Sequence, residues 1–342
     1  ALARKRYAEY SATIAKSPKD SKPRLQLAEL FMWEARITGE HGHYYPAALT
    51  MIESVLKNSP AVDKQFQALS YQASVLLSLH QFDKARKVAE KAVAINPHNA
   101  QIYGALVDAN VELGNYTEAV AMADKMVSIR PDLRSYARIS YLRELSGEEA
   151  GAIEAMEMAV KAGLPGTEEA AWARLTLGKL YAKYQQPKNA ENQFKRILAE
   201  RPSYPFATAE LAQLSIDEGN YDRAETLLKE AIILIPEVGF YHQLATVYNE
   251  TGRIAEKDAL VNNMLLMLKD DEESGHKMGL AYAELYLELT STYDSALHYA
   301  MEEYKARPAN ADVNAMLARV YKKMGKPEEA KRHLDMAKVT EG

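Results

Sequence analysis

The sequence predicts an all-α fold, a superhelical solenoid of tandem helix-turn-helix hairpins. Prolines recur at a spacing of 34 residues, at positions 97, 131 and 165 and again at 202 and 236. The segment before each proline carries the same order of small, aromatic and apolar residues. A period of this length corresponds to one helical hairpin, and a hairpin buries its apolar faces only by stacking on its neighbours.

The composition excludes several classes of protein. Of the 342 residues, 47% are apolar and 26% are charged, as in ordinary folded chains. A net charge of -5 offers no electrostatic footprint for nucleic acid, so we expect no nucleic-acid partner. The chain has no cysteine, which excludes disulfides, thiolate metal sites and cysteine nucleophiles. No run of about 18 apolar residues occurs, so we expect no transmembrane segment.

The clearest copy of the repeat is Gly178-x-x-Tyr181 followed by Ala190, Phe194 and Pro202. Gly178 lets the first helix approach its partner, and Tyr181 lies one turn further along the same apolar face. Ala190 begins the second helix near the helix crossing, and Pro202 ends it because proline cannot donate the next backbone hydrogen bond. In other copies a glycine ends the first helix in the left-handed conformation; these are Gly114, Gly219, Gly252 and Gly325.

This pattern resembles the tetratricopeptide repeat (TPR), W-x2-L-G-x2-Y followed by A-x3-F and P, over nearly the whole chain. The resemblance implies about nine hairpins and a concave surface lined by the first helix of each. The stretch 131–181 is similar to repeats common in bacterial proteins, which favours a bacterial source.

The repeat register divides the chain into four segments. Residues 1–18 are predicted to form a helix, the second one of a truncated repeat, and residues 19–62 a repeat with a loop insertion. Residues 63–308 are predicted to form the central TPR array. Residues 309–342 are predicted to form the last repeat, which ends in a capping helix over 327–340 with a polar surface that includes His333.

Three segments depart from the regular unit and are predicted to be surface loops. Residues 39–46 are an insertion, 163–168 a long corner, and 270–275 an acidic, mobile loop where a closing proline is expected. His41-x-His43 in the insertion suggests part of a metal site, but two histidines do not complete a ligand shell, and no carboxylate or third histidine lies nearby at helical ligand spacing. A polar loop with aromatic anchors is the preferred interpretation.

The common nucleotide-binding and hydrolase motifs are absent from the sequence. Paired acids such as Glu148-Glu149 lie near predicted helix starts, where they complement the helix dipole. We therefore predict that the chain is not an enzyme, with no catalytic residue, no metal site and no cofactor.

The predicted functional surface is the concave groove that the family resemblance implies. Projection of the helical period from the core positions places nine side chains on it, namely Arg134, Tyr141, Trp172, Lys179, Lys183, Phe206, Gln213, His242 and Asn249. Aromatic and arginine side chains dominate binding energy at protein interfaces. The alternative for Trp172 and Phe206 is that they fill gaps between adjacent repeats.

These features predict a non-catalytic scaffold that binds a protein or peptide partner in the groove, within a bacterial envelope assembly. One alternative is a small-ligand or glycan receptor that uses Trp172, Tyr141 and Phe206 as a stacking platform. A second is an architectural subunit that assembles through its terminal repeats.

Two observations bear on the cellular location. The chain has no cysteine, and it begins at Ala1 inside a helical pattern. Both favour the bacterial periplasm or cell envelope, with the cytoplasm as the alternative. We expect that a segment preceding Ala1, such as a signal or a lipid anchor, has been removed.

Overall fold

The computed structural model describes residues 2–58 and 60–338, and within them every regular element is an α-helix. Helix α1 (Leu2–Lys16) precedes nine successive pairs, each with a first and a second helix. None of the described helices combines the length and the apolar character needed to cross a bilayer. The predicted all-α solenoid of stacked hairpins is confirmed.

Contacts between helices divide the chain into two compact units. Unit 1 comprises Ala1–Ile129 and Lys269–Met278, and unit 2 comprises Arg130–Leu268 and Gly279–Gly342. Besides α1, the helices of unit 1 are α2 (Ser21–Thr38), α3 (His41–Lys57), α4 (Val62–Ser78), α5 (Phe82–Ile95), α6 (Ala100–Leu113) and α7 (Tyr116–Ile129).

The hairpins of unit 2 begin after Ile129. Their helices are α8 (Leu133–Leu145), α9 (Glu149–Ala162), α10 (Glu168–Lys183), α11 (Pro187–Glu200), α12 (Pro205–Asp217), α13 (Tyr221–Leu234), α14 (Val238–Glu250), α15 (Ile254–Glu273), α16 (Gly279–Glu288), α17 (Tyr293–Ala306), α18 (Ala311–Lys323) and α19 (Pro327–Met336). The last five residues of α15 belong to unit 1.

The two helices of the α10–α11 hairpin cross closely at Gly178 of α10. A Cβ atom at this position would lie 2.3 Å from Cε1 of Phe194 on α11. Phe194 is fully buried, together with Ala190 and Ile197 of the same helix. Only glycine leaves room for the phenylalanine ring here, which is the mechanical role predicted for the small residue of the repeat.

The repeat tyrosines bury their rings and hold their hydroxyls at the edge of the core, as amphipathic rings do. The Tyr181 hydroxyl donates a hydrogen bond to Glu157 at 2.8 Å, and the Tyr248 hydroxyl donates one to Glu225 at 3.3 Å. Burial, together with the carboxylate of Glu157, raises the pKa of Tyr181 to about 12. Each tyrosine thereby connects two helices of the stack.

The glycines predicted to end the first helices have positive φ angles between 71° and 80°, at positions 114, 219, 252 and 325. Three other hairpins carry a non-glycine residue in the left-handed conformation at the same point of the turn. These are His80, Gln185 and Ser291, with φ angles of 55°, 59° and 54°.

The insertion at 39–46 is helical, so the prediction of a loop is wrong. Gly39 caps α2 with a φ of 73°, and α3 already begins at His41. Tyr45, Ala48 and Ile52 of α3 are buried at a helical spacing. Since these side chains need a continuous helix to reach the core together, the additional residues lengthen α2 and α3 to 18 and 17 residues.

The acidic segment at 270–275 was also predicted to be a mobile loop, and that prediction is wrong. Helix α15 continues through Glu273 and buries Val261, Met264 and Leu268 along one face. Gly275, with a φ of 96°, then ends it. The His276 N–H donates to the Asp271 carbonyl at 3.1 Å, and the Gly275 N–H to the Glu272 carbonyl at 2.9 Å. This pair of bonds is the glycine-dependent Schellman cap.

The C-terminal helix differs from its prediction in one side chain. Helix α19 ends at Met336, and Thr340 lies outside the described residues. His333 is 1% exposed, whereas Leu334 is 53% exposed. The expectation of a surface histidine is wrong because the Nδ1 atom of His333 bonds Asn314 Oδ1 at 2.8 Å, which satisfies the buried ring.

Candidate functional site

All nine predicted groove residues lie on first helices of unit 2. Arg134 and Tyr141 are on α8, Trp172, Lys179 and Lys183 on α10, Phe206 and Gln213 on α12, and His242 and Asn249 on α14. These helices pack in order, α8 against α10, α10 against α12 and α12 against α14. We refer to the solvent-facing side of these four helices as the first-helix surface.

The centre of this surface is a line of five side chains on α10. Glu169, Trp172, Thr176, Lys179 and Lys183 alternate in steps of three and four residues, so they share one side of the helix. We call them the α10 stripe. Trp172 is 46% exposed, and its indole N–H has no hydrogen-bond partner among the described residues. The stripe therefore presents a large aromatic ring between an acidic end and a basic end.

Ion pairs connect the α10 stripe to the neighbouring first helices. They are Arg134 Nη2 to Glu169 Oε1 at 3.4 Å, Lys183 Nζ to Glu144 Oε1 at 2.7 Å, and Lys179 Nζ to Glu210 Oε1 at 3.5 Å. Exposed pairs of this kind contribute only about 0.2–1 kcal/mol each. Their main effect here is to neutralise the stripe, so that the indole is bordered by paired charges of both signs.

Burial and ion pairing shift the pKa values of an acid and a base at the stripe. Burial raises the pKa of Glu210, and the nearby Lys179 offsets only part of this change. Burial also disfavours the charge of Lys183, but its hydrogen bond to Glu144 and their mutual attraction are stronger and raise its pKa. Lys183 therefore stays charged, and a carboxylate of a partner has to share it with Glu144.

The aromatic residue on α12 is used partly for packing. Phe206 is half-buried, with its ring centroid 5.7 Å from that of Tyr204 and 5.5 Å from that of Phe240 on α14. Gln213 accepts a hydrogen bond from the side chain of Gln243 at 3.2 Å. Phe206 and Gln213 thus contribute to the contact between adjacent hairpins as well as to the surface.

The α14 end of the surface holds a histidine with spare bonding capacity. The Nε2 atom of His242 is buried and has no hydrogen-bond partner among the described residues. Burial lowers the pKa of His242, although Glu284 and Glu288 oppose the change. Asn249, two turns further along α14, is exposed. This end can therefore offer polar contacts to a bound segment.

A second candidate group of side chains lies in unit 1 and was missed by sequence reasoning. Its members are His41, Asp271 and His276, with one potential ligand atom of each within 4.8 Å of the others. Burial is the main cause of the lowered pKa values of His41 and His276. The fold brings Asp271 of α15 and His276 of its cap close to His41, so potential ligands that the local sequence lacks come from a distant segment. The sequence feature that could have indicated this grouping is that residues 39–46 and 270–275 both interrupt the repeat.

Models of the tetratricopeptide repeat match residues 76–143, 182–244 and 311–335. The chain is 24% identical over 226 residues to cellulose synthase operon protein C of Pseudomonas fluorescens (strain SBW25), covering 60% of this chain and 17% of that protein. It is 35% identical over 63 residues to the Protein SGT1 homolog of Oryza sativa subsp. japonica, covering 18% of this chain and 16% of that protein. The chain thus spans less than a fifth of either relative.

Among solved structures, the APC/C hetero-tetramer Cut9-Hcn1 has a similar fold. Its TM-score is 0.56 at 16% identity, over 91% of this chain and 58% of that chain. Proteins of this repeat type are in general non-catalytic scaffolds that bind protein partners. The repeat matches, the stacked hairpins and the packing of Gly178 on Phe194 agree. The chain therefore contains tetratricopeptide repeats and has the fold of proteins built from them.

Proposed function

We propose that this protein is a non-catalytic scaffold that binds a protein or peptide partner on the first-helix surface of unit 2. The observation that carries the proposal is Trp172, which is 46% exposed at the centre of the α10 stripe. Tryptophan is enriched among the residues that dominate binding energy at protein interfaces. Covering its ring would remove a large apolar area from water and leave the indole N–H available for a specific hydrogen bond.

The charges beside Trp172 suggest the chemistry of the partner. The α10 stripe begins with Glu169 and ends with Lys183, and each of these faces a charge on α8. A segment with an apolar or aromatic side chain at its centre and polar groups at both ends matches this order. Paired rim charges contribute more to orientation and association rate than to affinity. We therefore assign anchoring to Trp172 and orientation to the flanking ion pairs.

We further propose that the scaffold acts within a bacterial envelope assembly. The similarity to cellulose synthase operon protein C of a Pseudomonas strain, over 60% of this chain, supports a bacterial setting. Fractionation of source cells tests the location, with the native protein expected in the periplasmic or membrane fraction. Recovery in the cytoplasmic fraction alone would contradict this part of the proposal.

The surface itself is tested by comparing the partners captured by the unmodified protein with those captured by the Trp172→Ala, Lys179→Glu double variant. We expect the double variant to lose a specific partner while it remains folded, which circular dichroism checks. Ile233→Ala on α13, where the side chain is 83% exposed, is the control and should retain that partner. Identical partners for all three proteins would exclude this surface.

A further inference from the structure

We propose that His41, Asp271 and His276 form a binding site for a divalent first-row transition metal ion, with Zn²⁺ as its representative. The three residues come from the first turn of α3, the last turn of α15 and the cap that follows it. One potential ligand atom of each lies within 4.8 Å of the others. The site belongs entirely to unit 1 and is separate from the first-helix surface of unit 2.

The hydrogen bond of the His276 ring favours the tautomer that leaves Nε2 free to bind a metal ion. Its side chain is 6% exposed, and its Nδ1 atom lies 3.2 Å from the backbone carbonyl of Asp271. Since a carbonyl only accepts hydrogen bonds, Nδ1 carries the proton and Nε2 keeps its lone pair. That Nε2 atom is buried and has no partner among the described residues. A metal ion would satisfy it, with the carbonyl orienting the ring.

The other two ligands also have free coordinating atoms. The His41 ring stacks on Tyr45 at 5.4 Å between centroids and lies 5.7 Å from the ring of His276. The Asp271 carboxylate makes no hydrogen bond and no ion pair within residues 2–58 and 60–338. Of the three residues, His276 alone has a buried ring nitrogen without a partner among the described residues. Burial of such an atom is costly unless something satisfies it.

The ligand set indicates the class of metal. Two imidazole nitrogens and one carboxylate oxygen suit zinc and its first-row neighbours, whereas calcium and magnesium prefer oxygen ligands alone. Tetrahedral zinc with bonds of about 2.0–2.1 Å holds its ligand atoms about 3.3 Å apart. Zinc binding therefore requires His41 and Asp271, which are only half-buried, to bring their ligand atoms closer to His276 by side-chain rotation.

The segment 269–278 is held in place by contacts that do not involve the ion. The Lys277 N–H donates to the Leu79 carbonyl at 3.3 Å, and the Gln81 side-chain amide donates to the Gly275 carbonyl at 3.0 Å. The His80 ring bonds the Lys277 carbonyl at 2.9 Å. Because the ligands are thus preorganised, the ion has little chain entropy to overcome. The bound ion would link the start of α3 to the end of α15.

The test uses the untagged full chain, freed of metal with a chelator and titrated with Zn²⁺ by calorimetry. We expect one saturable site per chain, and an unfolding temperature that rises by several degrees in excess Zn²⁺ because the ion binds the folded state. Co²⁺ bound at the same site should give the intense visible absorption of tetrahedral coordination. Mg²⁺ should compete weakly.

The variants His41→Ala and Asp271→Asn remove one ligand each from side chains that are not fully buried, and both should weaken Zn²⁺ binding by about 100-fold or more. The matched control is His43→Ala, the exposed histidine of the same helical turn. This variant should bind Zn²⁺ as the unmodified chain does, with circular dichroism confirming that every variant is folded.

Three results would overturn the proposal. The first is a lack of saturable Zn²⁺ binding by the unmodified chain. The second is equal loss of affinity in His43→Ala and His41→Ala, which would indicate adventitious binding by surface histidines. The third is Mg²⁺ binding as tight as Zn²⁺ binding, which would exclude the assigned class of metal.

Discussion

Gly42 on α3 lies directly against Ser274, one residue beyond the end of α15. A Cβ atom on Gly42 would come within 2.2 Å of the Ser274 Oγ and 3.0 Å of its Cβ. The two segments that interrupt the repeat therefore meet at a point where only glycine fits. This close approach brings His41 to Asp271 and His276.

The variant Gly42→Ala tests this contact. We expect it to displace the segment 269–278, because the added methyl overlaps both side-chain atoms of Ser274. Hydrogen exchange should then become faster at the Lys277 amide, which otherwise donates to Leu79. The second change Ser274→Gly removes both overlapping atoms and should slow exchange again. Equal exchange in the unmodified chain and in Gly42→Ala would show that the approach is looser than described.

The close crossing of α10 and α11 at Gly178 gives a second prediction. Gly178→Ala should destabilise unit 2 by about 1–3 kcal/mol, because the methyl collides with the buried ring of Phe194. The control is Gly239→Ala in the first turn of α14, where an added Cβ meets no atom within 4 Å. Chemical denaturation should show a lower midpoint for the first variant only. A midpoint for Gly178→Ala at or above that of the control would contradict the packing.

The sequence predicted the repeat because its determinants are local. Gly178, Tyr181 and Phe194 lie within one hairpin, and their spacing alone defines which side chains meet. The grouping of His41 with His276 depends on contacts between distant parts of the chain, which no local pattern encodes. The same reason explains the error at 270–275, where acidic composition indicated a loop but burial of preceding apolar residues extends the helix.

A buried ion pair at the C-terminal end of α17 gives a third prediction. Arg307 Nε bonds Glu303 Oε2 at 2.9 Å, and both side chains are almost fully buried. Arg307→Met should cost about 3–5 kcal/mol, since it leaves the Glu303 charge buried without this partner. Lys305→Met on the same helix breaks an exposed pair with Glu302 and should leave the denaturation midpoint unchanged. Equal shifts of the denaturation midpoint in the two variants would mean that the Arg307–Glu303 pair contributes no more to stability than an exposed pair.

His333 gives a prediction about pH. Burial, and to a lesser degree Arg332, lowers the pKa of this ring below its ordinary value of 6.5. It packs between Tyr304 and Tyr321 and bonds Asn314. Below pH 6.5 the unfolded chain binds a proton that the folded chain resists. The contribution of His333 to stability is therefore complete above that pH and declines as the pH falls towards the lowered value.

Thermal unfolding from pH 7 to pH 5 measures this effect. The loss of stability on acidification should be smaller in His333→Gln, which has no titrating ring, than in the unmodified chain. The control is His298→Gln, which alters an exposed histidine on α17. Its stability should depend on pH in the same way as that of the unmodified chain. An unchanged pH profile in His333→Gln would show that the ring is not held neutral.

The most direct test of the proposed function is photo-crosslinking in source cells from an unnatural amino acid placed at position 172. The same residue at position 233 on α13 is the control, because Ile233 is 83% exposed and lies away from the first-helix surface. We predict one discrete protein adduct from position 172 and none of the same mass from position 233. Absence of an adduct at position 172, or the same adducts from both positions, would contradict partner binding on this surface.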